Sequence, residues 1–417
     1  MTIIIICNNL ILYESIVMSS PPLTLADVTS RSLILVMTLG LLAACREDVG
    51  PAQPTATQLS PVAQLGEQIF NDPTLSASGS LSCASCHDSA AGHAAGNNLP
   101  AQLGGPLLTL QGSRQSPSIR YLNQNTAFFF DAQGTPTGGF FWDGRAASLQ
   151  EQAAQPFLNP VEMAMPSREA VVDRLKLAVY APTFLKIFGA PVFDNPAMAF
   201  DRMTYALQQF QKEDAELHSF TSKYDAVLNG KATLTEQEMR GLALFNNPQK
   251  GNCQSCHPSA RNADGSPPLF TDFTYDNLGV PRNPALLANA DPSHFDLGLC
   301  ARPSGDLATR QDLCGAFKVP SLRNIALRQS FFHNGYFHDL KIAMQFYVQR
   351  DTHPEKWYPV LNGTIQKFDD LPVQYHANVN TAEAPYNRKP GEVPALSEAE
   401  IDDVIAFLQT LSDGYTP

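Results

Sequence analysis

The chain carries one short pattern twice, as Cys83-Ala84-Ser85-Cys86-His87 and as Cys253-Gln254-Ser255-Cys256-His257. In c-type haem attachment, two thiols at this spacing bond to the vinyl groups of the cofactor and the adjacent histidine supplies an axial nitrogen. A zinc site built from both cysteine pairs is the alternative, but it leaves the repeated histidine unexplained. A thioredoxin-like redox pair would need a βαβ context, which we do not find in the sequence. The pattern therefore predicts two covalently bound haem c groups, with His87 and His257 as proximal iron ligands.

The sequence around each motif is also repeated. Apolar residues at helical spacing precede both motifs, and two further pairs of segments recur in the same order. Each copy then runs into another helix-like stretch, and strand patterns are scarce. We therefore predict a mainly α fold with two tandem cytochrome c-like domains, related by internal duplication and carrying one haem each. The matching segments are residues 62–70 and 238–246, 117–120 and 320–323, and 140–145 and 331–336.

Length and composition limit the classes of function. The chain has 417 residues, with 28 Lys+Arg against 40 Asp+Glu, for a formal charge of −12. This length permits two or three domains with real cores and excludes a small disulfide scaffold. The hydrophobic share of 44% argues against disorder, and the acidic balance disfavours nucleic acid as a partner.

The N-terminal residues read as an export signal. The apolar run at residues 33–44 is shorter than a membrane-spanning helix and ends in Leu42-Ala43-Ala44-Cys45, which resembles the bacterial lipobox. We expect a protein of the periplasm or cell envelope that contacts the membrane only through a lipid anchor at Cys45; an ordinary secretory signal is the alternative. The expected organisation is a leader (1–45), a flexible tether (46–60), an N-terminal domain (61–220) and a C-terminal domain (221–417). A capping box, Ser397-Glu398-Ala399-Glu400, begins a predicted last helix that extends to Leu411.

Several further motifs occur in the order found in one enzyme family. Together they resemble the signature of bacterial di-haem cytochrome c peroxidases and the related MauG enzymes, over essentially all of residues 60–417. The motifs are Phe141-Trp142-Asp143-Gly144-Arg145, Gln152, Pro156, Asn159-Pro160-Val161-Glu162-Met163, residues 317–324 and residues 332–335.

The resemblance implies roles for four residues of the first half. Glu162 and Gln152 would lie above an N-terminal haem whose iron keeps a vacant position, and Pro156 would line that pocket. A carboxylate beside bound peroxide can take a proton from one oxygen and return it to the other. Trp142 would relay electrons between the haems. The structural alternatives are a surface or helix-capping carboxylate for Glu162 and a core aromatic for Trp142.

The distal ligand of the second haem is either Tyr347 or Met344. Aligning Gly144 with Gly335 places Tyr347 opposite the pocket residue Pro156, so we favour Tyr347; Met344 lies one helical turn away. In the family, the peroxidases use methionine and the MauG-like branch uses tyrosine. Residues 350–359 resemble the methanobactin-associated members of that branch more weakly.

The remaining motifs concern His93, calcium and the last two cysteines. We expect His93 to be an exposed loop residue without a ligand role, which leaves the first haem open. Family members bind calcium between their domains, and the matching positions here are Gln115 and the carbonyl groups near Arg328 and Ser330. Cys300 and Cys314 are expected to form a disulfide in an oxidising compartment.

Three functions follow from these observations. The first is a peroxidase that reduces hydrogen peroxide at the N-terminal haem, with electrons from a small redox protein passed through the C-terminal haem. The second is a MauG-like oxidase that uses peroxide to oxidise Trp or Tyr of a partner protein. The third is a non-catalytic electron-transfer protein, against which Glu162 argues.

Overall fold

The computed structural model describes residues 58–416. The predicted leader, Cys45 and most of the predicted tether lie outside these residues. Within them, none of the helices combines the length and the apolar character needed to cross a membrane.

Helices make up most of the regular structure in residues 58–416, so the mainly α prediction is confirmed. Short 3₁₀ turns fill many of the connections, and the strands form small two-stranded antiparallel pairs. The helices are α1 (Pro61–Phe70), α2 (Cys83–Cys86), α3 (Leu149–Leu158), α4 (Arg168–Leu175), α5 (Ala181–Phe188), α6 (Pro196–Glu213), α7 (Lys223–Leu228), α8 (Glu236–Asn246), α9 (Leu340–Gln349) and α10 (Glu398–Gln409). The strand pairs are β1 (Leu103–Gly104) with β2 (Leu110–Gln111), β3 (Phe129–Phe130) with β4 (Pro136–Thr137), β5 (Tyr275–Asp276) with β6 (Phe317–Lys318), and β7 (Val360–Leu361) with β8 (Thr364–Ile365).

One helix pair in each half is joined by a close glycine contact. A Cβ atom at Gly66 of α1 would lie 2.1 Å from the Ala206 carbonyl oxygen of α6. A Cβ atom at Gly241 of α8 would lie 2.0 Å from the Asp403 carbonyl oxygen of α10. Only glycine permits this approach of two backbones, which explains why the repeated segments share it. The two helix pairs belong to separate hydrophobic cores, one drawn from residues 65–217 and the other from residues 224–411.

Two local predictions from the sequence are confirmed. Helix α10 begins after Ser397, whose hydroxyl accepts the Glu400 amide while the Glu400 carboxylate accepts the Ser397 amide. This reciprocal pair satisfies two backbone donors that a helix start otherwise leaves free. Cys300 and Cys314 form a disulfide, and both are buried.

Polar contacts join the two halves beside Trp142. The Lys318 amide donates to the Trp142 carbonyl at 2.8 Å, and the Gln115 amide donates to the His333 carbonyl at 2.8 Å. Arg114 donates to Asp143 of its own half and to Asp296 of the other half, at 2.6 Å each. These contacts hold the segments that carry the predicted site residues in fixed positions relative to one another.

Two candidate haem sites

The first motif opens onto a cavity of about 770 Å³, called here the N-terminal cavity. It brings together the predicted site residues of the first half, although they come from segments far apart in sequence. Helix α2 carries the two thiols, and the C-terminal turn of α3 leads into the segment of Glu162. Among the described residues that line this cavity, His87 is the only histidine. The predicted residues in its wall are Cys83, Cys86, His87, Trp142, Gln152, Pro156 and Glu162.

His87 is held by a backbone carbonyl. Its Nδ1 atom lies 3.2 Å from the carbonyl oxygen of His93, which fixes the ring and leaves Nε2 as the ligand atom. Burial lowers the pKa of His87, so the imidazole is neutral at pH 7, as an iron ligand must be.

The expectation that His93 lies in an exposed loop is wrong. Its side chain is only 6% exposed, and its Nδ1 atom accepts a hydrogen bond from Arg120 Nε at 3.1 Å. The Gly/Ala-rich stretch turns inward because Asp88 and Ala94 form a β-bridge around it. Burial, with the neighbouring Arg120 charge, lowers the pKa of His93 to about 4. His93 therefore holds the His87 ring through its carbonyl group, a role that its side chain does not indicate.

Glu162 lies in a turn after α3 that is held from two sides. Its amide donates to the Asn159 carbonyl at 3.0 Å, and its carbonyl accepts the Gly105 amide at 2.8 Å. Burial raises the pKa of the Glu162 carboxyl group, whereas the nearby Arg145 charge and the Asn159 side chain lower it. The net rise brings the carboxyl group closer to the range where it can both accept and donate a proton.

The second motif opens onto a smaller cavity of about 180 Å³, called here the C-terminal cavity. Cys253, Cys256 and His257 line it, and His257 Nδ1 lies 2.7 Å from the Phe270 carbonyl oxygen. Burial lowers the pKa of His257 to about 4, which again leaves a neutral imidazole. Phe270 matches His93 in a further respect: the two residues have positive φ angles of 54° and 55°, which aim their carbonyl groups at the histidines.

Both candidate distal residues line the C-terminal cavity. Helix α9 begins at Leu340 and α3 begins at Leu149, in agreement with the register used to choose Tyr347. Tyr347 and Met344 are both in the cavity wall, so their positions alone leave the choice open. Burial, with the neighbouring Cys253 and Cys256 thiols, raises the pKa of the Tyr347 phenol. Tyr386, which sequence reasoning missed, also lines this cavity, with its ring centroid 6.0 Å from that of Tyr347.

Trp142 and Gln115 line both cavities. The indole Nε1 of Trp142 donates to the Gln115 carbonyl at 2.8 Å, so the two residues are joined directly. The Gln115 amide also donates to the His333 carbonyl at 2.8 Å, and the Gln115 side chain is the group that the predicted calcium site would use. Trp142 is 9% exposed, and its position between the cavities distinguishes it from an ordinary core aromatic.

Sequence reasoning missed an ion-pair network that connects the two cavities. Arg114 bridges Asp143 and Asp296, and Arg145 donates to Asp143 at 3.0 Å. At the other end, the Asp296 charge acts on His333, whose ring stacks on Phe317 at 3.5 Å in the wall of the C-terminal cavity. Arg114 and Asp296 are 182 positions apart, so no local pattern could have paired them.

The zinc alternative does not fit these sites. Each Cys-x-x-Cys pair lines its own cavity, and no group of three or more His, Cys, Asp or Glu side chains within residues 58–416 could hold a metal ion.

A covalently held porphyrin with carboxylate arms does fit. Each cavity is lined by two cysteine thiols that form no disulfide and by one neutral imidazole. The Nδ1 atom of that imidazole contacts a backbone carbonyl, which leaves Nε2 for an iron. Arg328 Nε and Ser330 Oγ line the C-terminal cavity and have no hydrogen-bond partner in the described part of the chain. Burial lowers the pKa of Arg328 to about 10, because a buried guanidinium charge without a partner is unfavourable. An anionic haem propionate would supply that partner.

Comparison with known proteins finds relatives that cover most of the chain. A family model described as di-haem cytochrome c peroxidase matches residues 60–233. The methylamine utilization protein MauG of Paracoccus denitrificans is 36% identical over 380 residues, which cover 87% of this chain and 92% of that protein. The cytochrome c551 peroxidase of Nitrosomonas europaea is 32% identical, over 73% of this chain and 78% of its own. The solved structure of the diheme peroxidase BthA from Burkholderia thailandensis superposes with a TM-score of 0.77 at 40% identity, covering 87% of this chain and 89% of that one.

Proposed function

Because the chain belongs to the family of di-haem cytochrome c peroxidases and MauG proteins, we propose that it reduces hydrogen peroxide in the N-terminal cavity with electrons passed through the C-terminal site. The reaction consumes one peroxide, two electrons and two protons and yields two water molecules. One observation carries the proposal: Glu162 and Gln152 share a cavity with Cys83, Cys86 and His87 in which no second histidine lies among the described lining residues. A site saturated by two histidines would instead be suited to electron transfer alone.

Each cavity would hold one haem through its own motif. Cys83 and Cys86 would bind the first haem, and Cys253 and Cys256 the second, with His87 and His257 as proximal ligands. When bound, each haem supplies an iron that exchanges electrons, and an iron with a vacant position also binds peroxide. For the second iron we propose Tyr347 rather than Met344 as distal ligand. The α3/α9 register supports this choice, because it places Tyr347 opposite the pocket residue Pro156.

Glu162 would move the proton that peroxide cleavage requires. Its carboxylate form accepts a proton from one peroxide oxygen, and its acid form returns that proton to the oxygen that leaves as water. Gln152 presents an amide group to the same cavity and would hold peroxide by a hydrogen bond. Arg145 opposes the rise in the Glu162 pKa that burial causes, so the carboxylate form remains accessible. Pro156 would shape the same pocket without taking part in proton transfer.

Trp142 would carry electrons between the two sites. Its ring lines both cavities, and its Nε1–H is held by the Gln115 carbonyl, so its position is fixed with respect to each. A calcium ion bound by the Gln115 side chain and by carbonyl groups near Arg328 and Ser330 would strengthen this junction. The location of Gln115, Arg328 and Ser330 in the wall of the C-terminal cavity supports this site.

We also propose that the two halves arose by duplication, with domains at 61–220 and 221–417. The separate cores support this, as do the paired contacts Gly66/Gly241 and the matched positive-φ carbonyls of His93 and Phe270. The apolar run and lipobox-like end of the leader favour a location in the periplasm or cell envelope, with Cys45 as a lipid anchor.

The second candidate function is MauG-like oxidation of Trp or Tyr in a partner protein. The observation that favours it is Tyr347 in the C-terminal cavity, since a phenolate ligand stabilises oxidised iron whereas a thioether stabilises reduced iron. In this case the electrons that reduce peroxide come from the partner's aromatic side chain instead of a small redox protein.

Rapid mixing with peroxide distinguishes the two functions. The diferric protein is mixed with one equivalent of hydrogen peroxide, with and without a reduced small c-type cytochrome, and its absorption spectrum is followed. A peroxidase consumes peroxide quickly only when the cytochrome supplies electrons. A long-lived spectral change that decays slowly without a donor, and that an added oxidisable protein discharges, indicates the MauG-like function. Absence of any peroxide consumption in both arms contradicts both proposals.

A further inference from the structure

The hairpin β1–β2 forms part of the wall of the N-terminal cavity. Gln102 and Leu103, at the beginning of the hairpin, line the cavity, and so does Gly112, just after the end of the hairpin. The tip carries the exposed residue Leu107, which is 81% exposed. The hairpin therefore connects the protein surface with the cavity interior.

Gly104 in this hairpin lies directly against the backbone of Glu162. A Cβ atom at Gly104 would lie 2.3 Å from the Val161 carbonyl oxygen, 2.6 Å from the Glu162 carbonyl oxygen and 2.7 Å from the Glu162 Cα atom. All three atoms belong to the backbone, so no side chain can rotate away to make room. The next residue, Gly105, donates its amide to the Glu162 carbonyl at 2.8 Å.

The other side of the Glu162 turn is fixed by α3. Asn159 ends that helix, and its carbonyl accepts both the Glu162 amide and the Ala164 amide at 3.0 Å. Ala164 has a φ angle of 57°, a left-handed conformation that a non-glycine residue adopts only when its surroundings hold it there. The turn is thus held between the end of α3 and the hairpin, and it can move little unless the hairpin moves with it.

We propose that Gly104 is a positioning residue for Glu162, and that hairpin β1–β2 sets the distance of the Glu162 carboxyl group from the site of peroxide cleavage. This inference rests on the proposed function, because it assigns a support to the residue proposed to transfer the proton. A side chain at position 104 displaces the Val161–Glu162 backbone by several tenths of an ångström or more. Proton transfer and positioning lose rate steeply with such errors, and a displacement of about 1 Å can cost on the order of 100-fold.

The test compares the same change, glycine to alanine, at two positions in or beside the hairpin. Gly104→Ala introduces the close contacts described above. Gly112→Ala is the matched control, because its Cβ atom would meet nothing closer than 3.7 Å although Gly112 also lines the N-terminal cavity. Both changes are made in the full-length holoprotein and again in a Glu162→Gln background. Haem content and thermal unfolding are measured for every variant.

We expect Gly104→Ala to lower kcat/KM for peroxide by about 10- to 100-fold, and Gly112→Ala to change it less than twofold. The acidic limb of the pH profile should move in Gly104→Ala and stay in place in Gly112→Ala. Cyanide association with the ferric protein, in which HCN must give up its proton, should slow in Gly104→Ala only. In the Glu162→Gln background, Gly104→Ala should cause no further loss, since both changes act on one group.

Three results would overturn the inference. Wild-type kcat/KM and pH profile in Gly104→Ala would show that the hairpin does not position Glu162, while the proposed function remains intact if Glu162→Gln is impaired. An additive loss in the double variant would show that Gly104 acts elsewhere. Wild-type turnover in Glu162→Gln would show that Glu162 takes no part in the reaction. The inference about Gly104 would then fail as well. If Gly104→Ala fails to fold, Leu110→Ala, which removes the side chain packed beside Gly105, should cause a smaller loss that again disappears in the Glu162→Gln background.

Discussion

Glu162→Gln isolates proton transfer from every other feature of the N-terminal cavity. Glutamine has nearly the same size and shape as glutamate, and the backbone contacts of Glu162 with Asn159 and Gly105 do not involve its side chain. The cavity wall and the attached haems should therefore remain. What is lost is a group that can accept a proton and return it, a contribution of about 10²- to 10⁴-fold in rate. This corresponds to about 2.7–5.4 kcal/mol of activation free energy.

The assay is steady-state peroxide reduction with a reduced small c-type cytochrome as donor, supported by spectra that confirm two attached haems. Glu151→Gln is the matched control. Glu151 also lines the N-terminal cavity, but its carboxylate is engaged by the Ala147 amide just before α3. We expect a large fall in kcat for Glu162→Gln and little change for Glu151→Gln. Wild-type-like turnover of Glu162→Gln would refute the proton-transfer role.

Three further predictions concern the pH profile, the second haem and stability. Below its pKa, Glu162 is protonated and cannot accept a proton from peroxide. Arg145→Met removes the positive charge that lowers this pKa, so the acidic limb of the kcat/KM profile should move to higher pH. Arg145→Lys keeps a positive charge and should largely restore the wild-type profile. Tyr347→Phe should change the optical and EPR spectrum of one haem only, and an unchanged spectrum would transfer the ligand role to methionine. Arg323→Met leaves the Asp225 carboxylate buried without its partner, and urea unfolding should show a loss of about 3–5 kcal/mol; a loss below about 1 kcal/mol would contradict the importance of this pair.

Much of the architecture could be predicted because the decisive signals are local in sequence. The Cys-x-x-Cys-His motifs, the shared helix glycines and the capping box at Ser397 each need only a few neighbouring residues. The repeated sequence motifs add a longer-range signal, since a feature seen beside one copy can be sought beside the other. That comparison favours Tyr347 over Met344, and both residues line the C-terminal cavity.

The supports of the site could not be predicted, because they are made by backbone groups and by pairs that are distant in sequence. The carbonyl groups of His93 and Phe270 hold the rings of His87 and His257, and any residue type can supply a backbone carbonyl. Arg114 in the first half pairs with Asp296 in the second half, 182 positions away. Gly104 contacts the backbone of Glu162 only in the folded hairpin. The burial of His93 could not be predicted for the same reason. The Gly/Ala-rich segment around it indicates an exposed loop, and only the β-bridge of Asp88 with Ala94 shows how that loop turns inward.

The central claim is that this chain carries two thioether-linked haems and that only one iron keeps a vacant position. EPR of the ferric holoprotein, recorded on material whose two motif peptides have been checked for haem adducts by mass spectrometry, tests it directly. We predict haem on both peptides, together with one high-spin and one low-spin ferric signal that correspond to equal spin concentrations. Two low-spin signals, or a motif peptide without haem, would contradict the claim.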